Sequence, residues 1–457
     1  MLGKVKHVHF VGIGGIGMSG IAEVLLNLGF EVSGSDLEKS AITDNLSSLG
    51  ARIRKGHRAE NIEGADIVVV SSAVNPSNPE VAAAAAAGIP VIPRSDMLGE
   101  LMRMRTGIAV AGAHGKTTTT SLAGVVLQEA GLDPTIIVGG KLKSLDTNAR
   151  LGEGEFLVAE VDESDGNFVR LSPTVAIITN IDAEHLDFYG SLERIQDAFT
   201  RFARQVPFNG AVICCLDDPN VRSVMPRIDR RIITYGFSAE AHVRGEIMEE
   251  SVDGTSFTVF IGGEEKGEIF LKLPGRHNVQ NALGVCALAD ELEIDLKIAG
   301  RAFASFGGVG RRFEYKGKRD GVVVLDDYGH HPTEVRAAVE TARRSFACRL
   351  VVVFQPHRYT RTRDLHQRFN ECFLMADEVF ITDVYAAGER PIPGVTGELI
   401  CRSALKGGVK KLTYIPDWDD LKVAVCGSLR AGDLLLTLGA GNIFKLGEEF
   451  LKGKGGK

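Results

Sequence analysis

The residues of this chain that could do chemistry fall into two glycine-rich turns and a few clusters of carboxylate, imidazole and guanidinium groups. Gly112-Ala113-His114-Gly115-Lys116-Thr117-Thr118 has the composition of a phosphate cradle. In such a loop backbone N–H groups ring the phosphates, a lysine offsets charge at the β/γ end, and a threonine hydroxyl can ligate Mg2+. Val110 stands where the fuller G-x-x-x-x-G-K-[ST] pattern has its first glycine, so only G-x-x-G-K-T is present. The second turn, Gly12-Ile13-Gly14-Gly15-Ile16-Gly17, fits G-x-G-x-x-G, and Asp36 follows 19 residues after Gly17. Glycines there let the backbone approach a diphosphate, and the following helix adds positive potential. The competing reading is a tight strand–helix turn that holds no ligand.

A phosphate cradle needs an acidic partner for Mg2+ at a neighbouring strand end. Glu160, Asp162, Glu163 and Asp165 supply carboxylates there, one as a metal ligand and the others solvated or hydrogen-bonding. Asn180, Asp182, His185 and Asp187 close the next strand in the same way. A lone histidine is usually structural, but beside two carboxylates His185 reads as a ligand to a second metal. Further on, Asp326-Asp327-Tyr328-Gly329-His330-His331 and His357-Arg358-Tyr359-Thr360-Arg361-Thr362-Arg363 each follow an apolar run. Arginine binds carboxylate and phosphate in bidentate fashion, so these loops suit an anionic group. A solvated basic loop is the alternative. Arg311 and Arg312 follow Gly310, and Gly439-Ala440-Gly441-Asn442 ends the last apolar run as one more turn open to close backbone approach.

Parallel strands must position these groups. Short apolar runs alternate with helical patterns almost throughout, which predicts an α/β fold with parallel sheets. The first series places strands at His7–Gly12, Glu31–Gly34, Ile67–Ser71 and Pro90–Ile92, with helices over Met18–Leu28 and the alanine run Ala82–Ala87. A second series begins at Gly107–Gly112 and continues through Glu155–Val161 and Thr174–Asn180. Between Tyr235 and Leu273 the period changes to two, predicting strands Ser256–Ile261 and Glu268–Leu273 around a turn over Gly262–Gly267. A third series runs through Val322–Leu325, Leu350–Phe354, Val379–Thr382, Lys411–Ile415 and Leu434–Leu438, with a helix over Glu334–Arg344. Domain boundaries are expected near 104 and 312, giving segments 1–104, 105–312 and 313–457.

Composition narrows the classes. The 457 residues are 44% hydrophobic and 24% charged, which excludes disorder, collagen-like repeats and a disulfide-stapled miniprotein. A net charge of −7 without a basic block argues against nucleic acid as a partner. No apolar run reaches the 18 or so residues a bilayer span requires, so no membrane partner is expected. Seven scattered cysteines without a CxxC pair fit reduced thiols in the cytoplasm.

Three function classes compete. A nicotinamide oxidoreductase uses Gly12–Gly17 and Asp36 but leaves the Lys116 loop idle. A P-loop NTPase switch leaves the first turn and the last domain idle. An ATP-driven ligase acting on a diphosphate-bearing substrate uses every loop. The ordered motifs His9–Gly20, Gly112–Thr118, Glu160–Asp165, Gly275-Arg276-His277-Asn278-Val279-Gln280-Asn281, Asp326–Pro332 and Gln355–Arg361 make the chain resemble the Mur ligase family along its whole length. The resemblance implies a Rossmann-like first domain for a UDP moiety, a P-loop central domain with a small β insertion and a Rossmann-like last domain. It further implies ATP and Mg2+ as cofactors, UDP-N-acetylmuramate and L-alanine as substrates, and a cytoplasmic step of peptidoglycan synthesis. On that basis Gly14, Gly15, Ser71 and Ser72 would meet the UDP-sugar, and Lys116, Thr117 and the rest of Gly112–Thr118 the nucleotide. Asn281, Arg312 and Asp327 fall on nucleotide-binding positions, and Thr117, Glu160 and His185 on metal-ligand positions. Tyr328, His330, His357, Arg358 and Arg361 fall on the amino-acid pocket. Lys116, Asp327, His330 and His357 are the catalytic candidates, Asp327 or a histidine accepting the amine proton. A ligase that adds a whole tripeptide to the same UDP-sugar is the nearest alternative within the family.

Several Mur ligases hold their second Mg2+ with a carbamylated lysine about one helix after the metal-binding histidine. This chain has no lysine between His185 and Lys266. Turnover is therefore expected to be independent of bicarbonate, while Glu160→Ala and His185→Ala each raise the Mg2+ concentration needed. Reproducible stimulation of the wild-type protein by bicarbonate at fixed pH would count against this reading.

Overall fold

A computed structural model describes residues 4–71, 73–142 and 147–453. By contact density the chain forms two compact units. One comprises Met1–Glu246, Phe257–Leu271 and Asn278–Gly307, the other Ile247–Ser256, Lys272–His277 and Gly308–Lys457.

The first unit contains two sheets. The smaller has five parallel strands in the order Arg52–Lys55, Glu31–Asp36, His7–Val11, Ile67–Val70, Val91–Pro93. This order reverses direction beside His7–Val11, so the carboxyl ends of His7–Val11 and Ile67–Val70 flank a topological switch point, where open α/β sheets bind ligands. Every residue of His7–Val11 is buried, as a strand covered by helices on both faces must be. The alanine-rich helix runs Pro79–Ala86, started by an Asn78 cap and Pro79. Arg52–Lys55 escapes the hydrophobic pattern because this edge strand is polar and largely exposed.

The larger sheet carries the central series. Ile232–Gly236, Ala211–Cys215, Val175–Ile178, Thr106–Ala111, Phe156–Glu160 and Thr135–Leu142 lie side by side and parallel. The β insertion differs from expectation. Its last strand begins at Glu264 and runs to Leu271, so Gly262-Gly263 alone make the turn after Thr255–Ile261. Both glycines have positive φ, +59° and +87°, the requirement of a two-residue hairpin turn.

The second unit is built on six strands ordered Glu314–Arg319, Val322–Asp327, Leu434–Leu438, Leu350–Phe354, Glu378–Ile381, Leu412–Tyr414. All neighbours are parallel except the antiparallel Glu314–Arg319 edge. Leu350, Val352 and Phe354 pack into one core and Val351 and Val353 into another, on opposite faces. Among the described residues no helix is long and apolar enough to cross a membrane.

A buried polar network inside the first sheet sets the position of its glycine turn. The Ser35 carbonyl accepts the Gly12 and Ile13 N–H groups at 2.8 and 3.0 Å. The Ser35 hydroxyl donates to Glu80 Oε2 at 2.6 Å, and the Arg58 N–H and Asn61 side chain donate to the same carboxylate. His9 Nε2 and His57 Nδ1 lie 3.6 and 3.4 Å from it, and Ser33 joins His7 to His9. Glu80 is wholly buried. Burial alone would raise its pKa, but His9, Ser35 and Asn61 outweigh burial and bring it from 4.5 to about 2. A carboxylate depressed in the folded state stabilises above its unfolded pKa, and that stabilisation is lost as pH falls through the folded value. Glu80→Gln is expected to cost roughly 3 kcal/mol in denaturant unfolding at pH 7. The difference from wild type should shrink steadily between pH 4.5 and 2, and a difference that stays constant across that window would show that the charge contributes nothing.

Candidate functional site

The first half of the site lies at the switch point. Gly12 has φ +81° and opens the turn, and the Gly15 N–H closes it on the Gly12 carbonyl at 3.2 Å. Asp36 does not point at open solvent. Its Oδ2 accepts the Gly14 N–H at 2.8 Å, the kind of amide such a turn offers a phosphate oxygen. A Cβ on Gly14 would stand 2.8 Å from that carboxylate. Ser71 faces the turn, its hydroxyl 3.8 Å from where a Gly12 Cβ would lie. Ser72 lies outside the described residues.

The second half is the loop between Thr106–Ala111 and the helix Lys116–Glu129. Gly112 and Gly115 have φ +142° and +79°, so both need glycine's freedom. Contact enforces it too: a Cβ on Gly112 would fall 2.0 Å from Thr179 Oγ1, and one on Gly115 2.4 Å from Asn281 Oδ1. Asn281 is thus brought against the loop by the helix Arg276–Glu291. The loop is braced from the tip of Val175–Ile178, where Asn180 Oδ1 accepts the His114 N–H at 2.8 Å. Asn180 Nδ2 returns to the His114 carbonyl at 2.9 Å. Thr179 Oγ1 donates to that carbonyl at 2.6 Å, and a His114 ring nitrogen lies 3.2 Å from Asp182. Thr117 and Thr118 are buried beneath the loop.

Lys116 curls back over the loop. Its Nζ donates to the Gly112 and Ala113 carbonyls and, at 2.9 Å, to Glu163. Burial would strip its charge, but Glu163 and Glu160 raise its pKa above the ordinary lysine value. Glu163 is itself pushed up to about 7, because burial there outweighs the attraction of Lys116. Asp162 is held below the usual carboxylate range. Burial opposes this, and the Arg94 guanidinium is foremost among the groups that overcome it.

His185 sits at φ +53°, a strained conformation for a non-glycine residue. One donor atom each from His185, Glu184 and Glu163 can lie within 4.8 Å of one another, a set that could hold a divalent ion. Of the sequence-derived ligands, His185 belongs to this set, while Thr117 is buried in the first turn of Lys116–Glu129. Glu160 accepts the Gly139 N–H at 2.7 Å instead. Glu184 was missed because an acidic residue next to a histidine carries no spacing signal.

The second unit gathers its own cluster at the carboxyl ends of its strands. Asp327 is buried, its Oδ2 accepting the Phe313 N–H and its Oδ1 the Gly329 N–H, both at 2.7 Å. Burial raises it to about 6 against the pull of Arg312. The guanidinium carbons of Arg311 and Arg312 lie 5.0 and 5.2 Å from the Tyr328 ring centroid. Arg311 is a staple, donating to Asp326 and to the Gly439 and Gly441 carbonyls. Tyr328 meets His330 edge-on at 5.6 Å, and His330 lies 5.4 Å from His357. Arg361 donates to the His357 carbonyl at 3.2 Å. Arg358 has φ +69° and its N–H donates to the Tyr385 carbonyl. Asn442 is engaged with Gln355, which donates to it at 2.9 Å and accepts its N–H at 3.0 Å. Two residues here were missed. Tyr385 stacks on His357 at 5.6 Å, and Glu389 receives the N–H and hydroxyl of Thr360. Their one legible signal was position, in the loop after the Glu378–Ile381 strand.

Comparison with known proteins agrees with this geometry. The chain matches the profiles described as Mur ligase family, catalytic domain over residues 7–106, Mur ligase middle domain over 110–289, and Mur ligase, glutamate ligase domain over 311–441. A UDP-N-acetylmuramate–L-alanine ligase of a Geobacter species is 55% identical over 452 residues, covering 99% of this chain and 98% of the relative. The enzyme of the same name from Sorangium cellulosum is 54% identical, covering 96% and 95%. The crystal structure of the UDP-N-acetylmuramate–alanine ligase of Thermotoga maritima superposes with a TM-score of 0.82 at 33% identity, over 98% of this chain and 99% of that one. A murein peptide ligase from Psychrobacter arcticus shares the fold, with a TM-score of 0.71 at 24% identity over 99% of both chains. With three α/β domains in the family's order, the chain belongs to the Mur ligase family.

Proposed function

We propose that this protein joins L-alanine to the carboxylate of UDP-N-acetylmuramate at the expense of ATP, giving ADP and phosphate. The observation that carries the reading is the pairing, within one unit, of a braced Gly112–Thr118 loop with a glycine turn at a switch point. Such a pairing suits one polyphosphate for each loop. The identity of 52 to 55% with relatives named UDP-N-acetylmuramate–L-alanine ligase favours alanine over a tripeptide as the added group. Seven unpaired thiols support a reducing compartment, the cytoplasm.

In this reading the Gly112–Thr118 amides, with Asn281, hold ATP, and Lys116 turns from the loop carbonyls to the γ-phosphoryl oxygens. A carboxylate oxygen of the sugar attacks the γ-phosphorus and ADP leaves, forming an acyl phosphate. Two anions meet in that step, so its barrier is largely electrostatic and a preorganised cation lowers it. Glu163, Glu184 and His185 offer a hard, oxygen-rich donor set that suits Mg2+, with Thr117 and Glu160 beside the phosphates. A bound Mg2+ would neutralise phosphoryl charge. The neutral amine of L-alanine then attacks the acyl carbon, phosphate departs, and the amine proton is taken up. In the second unit Arg312 and Asp327 serve the nucleotide, and Arg358 and Arg361 the alanine carboxylate. Each Asp327 oxygen accepts one backbone amide and keeps a lone pair, so Asp327 or a histidine of this cluster takes the proton. In the neutral ring, the 3.0 Å contact of His330 Nδ1 with the Tyr328 carbonyl requires the proton on Nδ1.

Phosphate release with UDP-N-acetylmuramate and each of L-alanine, glycine, D-glutamate and a murein tripeptide tests the assignment. Release only with the tripeptide, or with ATP alone, would replace it by a recycling ligase or a switch. Lys116→Ala should lower turnover by about 10³-fold or more, and retention of over a tenth of the rate would refute the site. Arg358→Ala should raise the KM for L-alanine far more than that for ATP, by roughly 2–4 kcal/mol. A loss confined to ATP would assign that loop to the nucleotide.

A further inference from the structure

Arg94 opens the helix Arg94–Arg103 and lies between Gly17, at the end of the first glycine turn, and Asp162, just beyond the strand Phe156–Glu160. Its guanidinium lies close over Gly17: a Cβ there would stand 2.0 Å from Nη1, 3.1 Å from Cζ and 3.4 Å from Cδ, so a larger residue would push the arginine aside. Its other amino group, Nη2, donates to Asp162 Oδ2 at 2.9 Å. Asp162 follows Glu160 by two residues and precedes Glu163, the carboxylate bound to Lys116. One cation therefore links the first glycine turn to the carboxylate cluster whose next member, Glu163, holds Lys116.

The Arg94 and Asp162 side chains are 28% and 42% exposed, so both remain within reach of a ligand. Gly17 belongs to the first turn of the helix Ile16–Asn27, which has no acidic residue there, so the guanidinium gains nothing from that helix. Resting on the sugar-nucleotide reading of the Gly12–Gly17 turn, we propose that Arg94 binds an anionic oxygen of the sugar nucleotide, and that Asp162 holds the guanidinium in place until this substrate displaces it. The oxygen belongs either to the diphosphate lying on the glycine turn or to the muramyl carboxylate on its way to Lys116. The chemistry is the same in both cases: a bidentate guanidinium trades one carboxylate for another anion.

The test is calorimetric binding of UDP, UDP-N-acetylglucosamine and UDP-N-acetylmuramate without ATP or Mg2+, to wild type, Arg94→Ala, Arg94→Lys and Asp162→Asn. Arg94→Ala should weaken UDP-N-acetylmuramate roughly 10- to 100-fold, with Arg94→Lys intermediate and ATP affinity within about twofold. Equal weakening of all three ligands assigns the diphosphate, and weakening of UDP-N-acetylmuramate alone assigns the carboxylate. Asp162→Asn should have the opposite sign, tightening UDP-N-acetylmuramate by about two- to fivefold because the guanidinium no longer has to be won from a competitor. A purely structural bridge would instead weaken binding in both variants, which overturns the proposal, as would wild-type affinity in Arg94→Ala. Should Arg94→Ala fail to fold, the Arg94→Lys and Asp162→Asn arms decide by their opposite signs. If wild type binds none of the three ligands, the sugar-nucleotide reading itself has failed, and that outcome is distinct from the others.

Discussion

Lys116 is a full positive charge in a place with little water, and the rest of the Gly112–Thr118 loop is arranged to keep it there. Such a charge is tolerated only if opposite charge and hydrogen-bond acceptors surround it. Glu163, Glu160 and the carbonyls of Gly112 and Ala113 supply both. The same acceptors hold the ammonium across the loop. Burial pushes the Glu163 carboxyl up and Lys116 pulls it back, so each charge of the pair depends on the other.

The glycines around these loops follow from the same demand for close approach. Gly112 and Gly115 are required by Thr179 and Asn281 on the far side of the loop as much as by backbone dihedrals. Where a side chain must sit at a strand tip in a conformation suited to glycine, the chain accepts strain. His185, Arg311, Phe313 and Arg358 all have positive φ and all lie in or beside the candidate sites. Three of them are held by neighbours: Asp327 takes the Phe313 N–H, Tyr385 the Arg358 N–H, and the Gly439 and Gly441 carbonyls the Arg311 side chain.

Much of this was legible before any coordinates. Parallel strands announce themselves as short, doubly buried apolar runs, and Leu350–Phe354 and Leu434–Leu438 have the very limits their composition implied. Polar edge strands do not. Arg52–Lys55 and Glu314–Arg319 carry no apolar period because every side chain in them is exposed or only half-buried. The glycine loops were readable because their residue types are forced locally. Residues joined only across the fold were not: Glu80 reaches Ser35 over 45 positions, and Arg94 reaches Asp162 over 68. Nothing in the local sequence of a Pro-Glu-Val-Ala helix start says that its glutamate is the anchor for a turn in another strand's loop.

The choice among four clustered carboxylates shows where sequence reasoning stops and packing decides. Glu160, Asp162, Glu163 and Asp165 are alike in type and lie within six positions. The fold assigns them different partners: Glu160 faces the Gly139 amide, Asp162 the Arg94 guanidinium and Glu163 the Lys116 ammonium, while Asp165 caps the Asn167 N–H. Each partner shifts the local charge differently, so four equivalent acids become four distinct groups. Only Glu163 of these is grouped with His185 and Glu184, at the point where a lysine and a divalent cation would share one phosphoryl group. A chain with a net charge of −7 can thus bind highly anionic substrates, because each cradle carries its own cation and acidic residues hold those cations in position.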